Sequence, residues 1–438
     1  MLVKSEPDTF EKLQRLGSMA VDDVLAPTPG LARARSPETY VTRQAPVPGV
    51  YRAAMPNGKF INLMRVMFTD FCVMDCAYCP NSIHVPRQRF AFKVEELARA
   101  FMEMHQRHTV EGLFLSSGIF GSGPSKTTER LIQVVEMLRH KYGFKGYIHL
   151  KVMPGTEYQY VEAAYRLGTR LSINIETPTA EHMRRLSTKK DLEGGILAPM
   201  SWIHKLTHQD GTGARGQVTQ MVVGAADESD WDIFLRIQQL YGQWDLKRVY
   251  YSAFRPTRYT PLEEHPATPL AREHRLYQLD WLLRVYGYGA EELKLAFDDR
   301  GFLSLDLDPK TAIALANLDS FPVDVNVATR EQLLRVPGIG PTAAHRIILN
   351  RRRHPVDNWR DLEAMGVVRK RAWAFLALPG HKPTRARQGR LDLFQEGKVA
   401  PQKAHAAPPC GQAWSCAGCP LYGMPGHPGH LQPQPAMA

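Results

Sequence analysis

An alternation limits the fold more than any other feature of this sequence. Between residues 59 and 288, six short runs of β-branched and aliphatic residues (61–68, 112–116, 147–152, 171–176, 218–223 and 249–254) are separated by stretches of helical periodicity, among them 94–105, 128–140, 158–167 and 230–241. A repeat of about 38 residues is the size of a strand, a crossover helix and two loops, so the region reads as consecutive βα units on a parallel sheet. The strand faces then choose between architectures. Leu171, Ile173 and Ile175 share one face of their run, with Ser172, Asn174 and Glu176 on the other; His149 and Lys151 likewise oppose Ile148, Leu150 and Val152. A parallel strand covered on both sides would be apolar on both. One polar face points to a curved, partial (β/α)6 barrel around a wet cavity, not a filled one. A helical stretch at 269–286 closes the unit.

Around this core the chain divides into four parts. Residues 1–58 form an N-terminal extension with one amphipathic stretch near Phe10 to Leu16 and no sustained periodicity beyond it. The barrel occupies 59–300, and 301–390 reads as a small all-α domain of short helices. Residues 391–438 read as a disordered tail: 8 Pro and 5 Gly among the last 38 residues are too many for regular structure. No apolar run reaches the roughly 18 residues of a membrane span, and the acids and proline near the start do not suit a secretory leader. A cytoplasmic location is expected.

The six cysteines fall into two triplets, Cys72, Cys76, Cys79 and Cys410, Cys416, Cys419. Triplets this tight suit metal ligation better than disulfides. The first follows the first strand run and runs into Pro80 and Asn81. Its i, i+4, i+7 spacing would fit one helical face, but Asp75 and the Cys79-Pro80-Asn81 turn favour a loop at a strand end, where barrel sites lie. A structural zinc ion wants four ligands, with His84 the nearest fourth. Three thiolates instead suit a 4Fe-4S cluster with one iron left open to a substrate or cofactor.

A C-x3-C-x2-C triplet with Tyr78 before its third cysteine, placed after the first of six βα strands, resembles the radical S-adenosylmethionine (SAM) enzymes. The resemblance implies a 4Fe-4S cluster on Cys72, Cys76 and Cys79 that binds SAM and cleaves it reductively to a 5′-deoxyadenosyl radical. It also implies roles for other residues. Ser116, Ser117 and Gly118 stand where the family has a glycine-rich turn for the SAM amino group, although the usual glutamate is missing. Asn174 and Glu176 would hold ribose and carboxylate. Gly224, with Asp227 or Glu228, loosely matches the segment that supports adenine. Tyr78 would shield the cluster. His149, Lys151 and Tyr251 are candidate substrate or radical-relay residues. The segments at 112–118, 146–151, 247–253 and 272–277 resemble most closely the DNA modification or repair branch of the superfamily, which implies DNA as partner and a flavodoxin- or ferredoxin-like electron donor. An RNA or nucleotide substrate, or a non-catalytic DNA-binding adaptor with a structural metal, are the competing readings.

Charge supports a polyanion partner. The chain carries a net +11, and residues 331–390 alone hold 13 basic against 4 acidic side chains, a net +9. Within that block Thr329 and Gln332 form a capping-box pattern, followed by Gly338-Ile339-Gly340 and a second helix. Both glycines are expected to allow positive φ and a close backbone approach to a phosphate at the helix start. Arg346, Arg351, Arg352 and Arg353 follow. The segment resembles the helix-hairpin-helix DNA-binding motif, with a degenerate second copy at Met365-Gly366-Val367-Val368. For the tail triplet, zinc and a second iron–sulfur cluster both stay open; Cys419-Pro420-Leu421-Tyr422 is similar to the cluster-binding edge of some uracil-DNA glycosylases.

Overall fold

The computed structural model describes residues 7–20, 49–54, 60–209 and 211–383. The tail, with Cys410, Cys416 and Cys419, lies outside the described residues. Seven strands form one sheet in strict chain order: β1 (Val50–Ala54), β2 (Phe60–Met67), β3 (Gly112–Ser116), β4 (Tyr147–Lys151), β5 (Arg170–Ser172), β6 (Gln217–Val223) and β7 (Arg248–Ala253). The six from β2 onward are parallel, as the alternation predicted, and they curl into a half-barrel. Strand β1 is a departure. It pairs antiparallel with β2 from inside the N-terminal extension, whose sequence shows no sustained strand pattern.

Strand alternation sorts the side chains into two layers. Met64, Val66, Leu113, Leu115, Ile148, Leu150, Leu171, Met221, Val223 and Val249 are all buried in the core between the sheet and its helices. Each such aliphatic side chain contributes roughly 1.5–3 kcal/mol on burial. The helices supply matching stripes: Leu97, Ala98 and Phe101 from α2 (Val94–Gln106), Leu131, Val134 and Val135 from α3 (Pro124–Glu136), Val161, Ala164 and Tyr165 from α4 (Tyr158–Leu167). The N-terminal α1 (Thr9–Met19) buries Leu16 in the same core, and Lys12 reaches Glu96 on α2 at 2.9 Å. The opposite face carries Arg65, Phe114, His149 and Arg170 in one register row. This is the polar interior face expected from the sequence.

The expected strand at 171–176 is shorter. Regular pairing stops at Ser172 because the Thr219 hydroxyl intrudes, donating to the Ile173 carbonyl at 2.6 Å and accepting from the Ile175 N–H at 2.9 Å. Glu176 then turns left-handed at φ 65° while bridging Met221. Asn174 and Glu176 therefore sit on an irregular extension at the C-terminal mouth of the barrel, not on the strand.

After α5 (Ala180–Leu186), α6 (Ala198–Gln209), α7 (Asp230–Trp244), α8 (Leu270–Arg284) and α9 (Ala290–Lys294), the chain enters the smaller module through α10 (Pro309–Ala316). This module has its own core, with Val325, Leu333, Ile339, Ala344, Ile347, Leu362 and Phe375 buried together. It is not wholly helical, because β8 (Val323–Asp324) pairs in parallel with β9 (Leu376–Ala377). Between them lie α11 (Arg330–Arg335), α12 (Pro341–Arg351), α13 (Trp359–Ala364) and α14 (Arg369–Ala372). No helix among the described residues is long and apolar enough to cross a membrane.

Candidate active site and candidate nucleic-acid interface

The first cysteine triplet lies on the irregular loop that leaves β2. A segment without regular structure must satisfy its backbone otherwise, and two side chains do much of this. Arg89 donates to the carbonyls of Asp70 (2.8 Å), Asn81 (3.2 Å), Ser82 (2.8 Å) and Val85 (2.8 Å). Asp70, 1% exposed, accepts from Phe90 N–H at 2.6 Å and pairs with Arg87 at 3.2 Å. The loop is thus fixed without a helix, as its turn residues suggested.

Backbone amides meet two of the sulfurs. Ile119 N–H points to Cys72 Sγ and Asn81 N–H to Cys79 Sγ, each at 3.4 Å, while Cys76 is buried. Burial pushes the Cys76 and Cys79 thiols up in pKa, so their thiolates call for a cationic partner. Among the described residues no three His, Cys, Asp or Glu side chains converge as a single metal ion requires. A 4Fe-4S cluster would take each thiolate on a different iron. Amide hydrogen bonds to sulfur are among the features that tune such clusters. The donor set fits a 4Fe-4S group.

The Ser116-Ser117-Gly118 turn lies directly against this loop. A Cβ on Gly118 would stand 2.2 Å from the Phe71 carbonyl oxygen and 3.2 Å from Cys72 Cβ. The glycine is what lets the strand-end turn and the cysteine loop meet, and Gly118 N–H donates to Thr69 O at 2.8 Å across the contact. Ser117 Oγ turns back to the Gly118 carbonyl at 2.6 Å, whereas the buried Ser116 Oγ has no partner. On the far side, Gly224 at φ 83° begins a turn whose amides at Gly224 and Ala226 both donate to the Glu228 carboxylate. Arg272 secures that turn through the Glu228 carbonyl at 2.6 Å and Asp230 at 2.7 Å. Glu228 is therefore engaged by its own loop. Tyr78 packs against Leu186, Val222 and Phe254 in a small apolar cluster.

Sequence reasoning missed the segment that joins these parts. The residues after α5, Ser187-Thr188-Lys189-Lys190, clamp the cysteine loop. Asp75 accepts from the hydroxyls of Ser187 and Thr188 at 2.5 Å each and from Thr188 N–H at 3.1 Å. Burial works against ionisation of Asp75, but these hydrogen bonds outweigh it and bring its pKa to about 2. Lys189 Nζ donates to Val73 O at 2.7 Å, and Ala77 N–H to Leu186 O at 2.8 Å. Lys190 Nζ donates to Tyr78 OH at 2.7 Å and to Glu176 Oε1 at 2.8 Å. The only advance hint was two adjacent lysines, which read as ordinary surface.

The three candidate substrate residues separate. His149 is buried on the interior face; its Nε2 lies 2.9 Å from Ser172 Oγ, its ring meets Phe114 edge-on, and Nδ1 has no protein partner. Burial, then Arg170 and Lys151, push its pKa well down, so the ring is neutral. Lys151 ends β4 on the same face. Tyr251 is a correction. It alternates with Tyr250 and Ser252, lies between Val249 and Ala253 on the helix side, and is fully buried against Tyr277 at 5.0 Å. It faces away from the barrel interior.

In the smaller module the Thr329–Gln332 capping box is formed, and two hairpin turns are present. Gly338 adopts φ 83°, but Gly340 sits at φ −102° and needs no left-handed conformation. The reason for Gly338 is also different from the expected one. A Cβ there would lie 2.6 Å from Val368 O and 3.0 Å from Arg371 Cβ, and Val368 N–H donates to Gly338 O at 2.9 Å. The glycine lets the two hairpins meet. The second turn is built on Gly366 at φ 98°. Arg346 donates to Met365 O at 3.5 Å and Arg351 to Val325 O at 2.9 Å, so both serve the module's own backbone. Arg352, Arg353, Arg369 and Lys370 are exposed. Arg335 ties the module to α9, meeting Glu292 at 2.6 Å.

Residues 66–212 match the family model of the radical SAM superfamily, and residues 320–372 that of the helix-hairpin-helix motif. The chain thus carries a radical SAM superfamily domain joined to a helix-hairpin-helix motif. No curated protein matches. Among solved structures it is similar to the FeFe-hydrogenase maturase HydG from Carboxydothermus hydrogenoformans (13% identity over 48% of each chain, TM-score 0.37). It is also similar to methylornithine synthase PylB (15% identity, 61% of this chain and 66% of that one, TM-score 0.37). A third is coproporphyrinogen III oxidase HemN from Escherichia coli (12% identity, 57% of this chain and 56% of that one, TM-score 0.34). The chain spans about half the length of the HydG structures it matches.

Proposed function

We propose that this protein is a radical SAM enzyme acting on DNA, in which residues 59–300 perform the chemistry and residues 301–390 hold the nucleic acid. The observation that carries the reading is the meeting of three loops at the C-terminal mouth of the barrel: the cysteine loop, the Gly118 turn packed on it, and the Glu176 extension reached by Lys190. Cys72, Cys76 and Cys79 would hold the cluster, and the Ser116–Gly118 turn, Asn174, Glu176 and the Gly224 loop would hold SAM. When bound, the pair supplies one-electron cleavage of the sulfonium and a 5′-deoxyadenosyl radical.

The chain's own part is to position and to exclude. Tyr78, with Leu186, Val222 and Phe254, walls off water beside the cysteines. The neutral His149 offers an unpartnered ring nitrogen in the interior without adding a proton at neutral pH. DNA is favoured as the macromolecule by the net +9 between residues 331 and 390 and by exposed Arg352, Arg353, Arg369 and Lys370 around two adjoining hairpins. A flavodoxin- or ferredoxin-like donor would supply the electron.

The test is anaerobic reconstitution followed by product analysis with SAM, with and without DNA. About four iron per chain and 5′-deoxyadenosine formation are expected, both lost in Cys76→Ala. Tight zinc without iron would reject the radical reading. SAM cleavage with no DNA binding at low salt would reject the DNA assignment alone.

A further inference from the structure

Lys190 belongs to no motif, yet it is a buried charge beside the cysteine loop. Its side chain is 7% exposed and that of Glu176 is 6% exposed. Lys190 donates to the Tyr78 hydroxyl at 2.7 Å and to Glu176 Oε1 at 2.8 Å. Tyr78 lies two residues from Cys76 and one from Cys79, while Glu176 belongs to the strand extension about a hundred residues away in sequence. One ammonium thus joins the cluster loop to the opposite wall of the site.

Burying an ion pair is expensive, and an apolar pair of similar shape is often as stable. A lysine kept here is therefore poorly explained by stability alone. Burial by itself would lower its pKa, but Cys76, once ionised as a ligand thiolate, and Glu176 outweigh that and hold it above its ordinary value. Beside a bound cluster it is a positive charge.

We infer that Lys190 is a positioning residue that sets the electron affinity of the cluster bound at Cys72, Cys76 and Cys79, with Glu176 as its counterweight. The inference rests on the cluster reading given above. Reduction adds one negative charge to the cluster. A positive charge held nearby in a low-dielectric site stabilises the reduced form, and a negative charge destabilises it. Lys190 raises the midpoint potential and Glu176 lowers it. Their contact holds both charges in place beside the cysteine loop.

The experiment is a redox titration of the reconstituted protein, monitored by the paramagnetic signal of the reduced cluster, in Lys190→Met, Glu176→Gln and the double variant. Lys190→Met should move the midpoint negative and Glu176→Gln positive, each by about tenfold in the reduced-to-oxidised ratio, or about 59 mV for one electron. The double variant should return towards the wild-type value. Shifts of one sign in both single variants, or no shift in either, would overturn the inference, because a purely structural contact has no sign. If Lys190→Met loads no iron, Glu176→Gln and the double variant still decide: a positive shift that the second substitution reverses supports the inference, and two unchanged midpoints reject it. Wild-type protein that loads no cluster fails the reading beneath it instead.

Discussion

The contact between the Gly118 turn and the cysteine loop can be broken by one carbon atom. In Gly118→Ala the new Cβ would stand 2.2 Å from the Phe71 carbonyl oxygen, 2.9 Å from its carbonyl carbon and 3.2 Å from Cys72 Cβ. Backbone cannot swing aside as a side chain can, so turn and loop must part by about an ångström. Overpacking of this kind costs about 1–3 kcal/mol. Parting also stretches three bonds that bridge the seam: Gly118 N–H to Thr69 O at 2.8 Å, Val73 N–H to Ile119 O at 2.9 Å and Ile119 N–H to Cys72 Sγ at 3.4 Å. Losing one or two adds about 0.5–1.5 kcal/mol each. The total is about 1.5–6 kcal/mol, concentrated where Cys72 is aimed. Gly121→Ala is the control, since its Cβ would meet only Val73 Cγ1 at 4.0 Å. Urea denaturation and iron content should be measured together. Gly118→Ala should lower the midpoint markedly and lose most of its iron, while Gly121→Ala should match wild type in both. Equal behaviour of the two variants would refute the argument from close approach.

The remaining predictions concern the clamp, the buried tyrosine and the DNA-facing module. Because the folded pKa of Asp75 is depressed to about 2, its contribution is full above its ordinary pKa near 3.8 and fades as pH falls through about 2. The gap in denaturation midpoint between wild type and Asp75→Ala should therefore be wide at pH 6 and much narrower near pH 2. Tyr251→Phe removes a buried hydroxyl with no hydrogen-bond partner on the helix side, so stability should hold or rise by up to about 1–3 kcal/mol with SAM cleavage unchanged; a lost activity would restore Tyr251 to the site. Neutralising Arg352, Arg353, Arg369 and Lys370 should weaken DNA binding evenly across sequences and flatten the log–log salt slope by about 0.9 per lost contact. Gly338→Ala should instead lower the module's thermal stability, because it separates the two hairpins.

Much of this molecule can be read from local pattern. Period-two alternation in 147–152, helical stripes such as Leu97 and Phe101, the Thr329–Gln332 capping box and the cysteine spacing all act within a few residues, and each appears where the pattern puts it. The same alternation, followed strictly, also carries Tyr251 to the helix side with Val249, so that misplacement was avoidable. Other features have no local signature. The end of β5 depends on the Thr219 hydroxyl meeting Ile173, 46 residues away. The clamp depends on Asp75 meeting Thr188 across 113 residues. The glycine at 338 is required by a hairpin that arrives 30 residues later, at Val368. Backbone periodicity is a property of neighbours along the chain and is written into the sequence directly. The partners of Lys190 are neighbours only in space, and folding alone brings Tyr78 and Glu176 to the same ammonium.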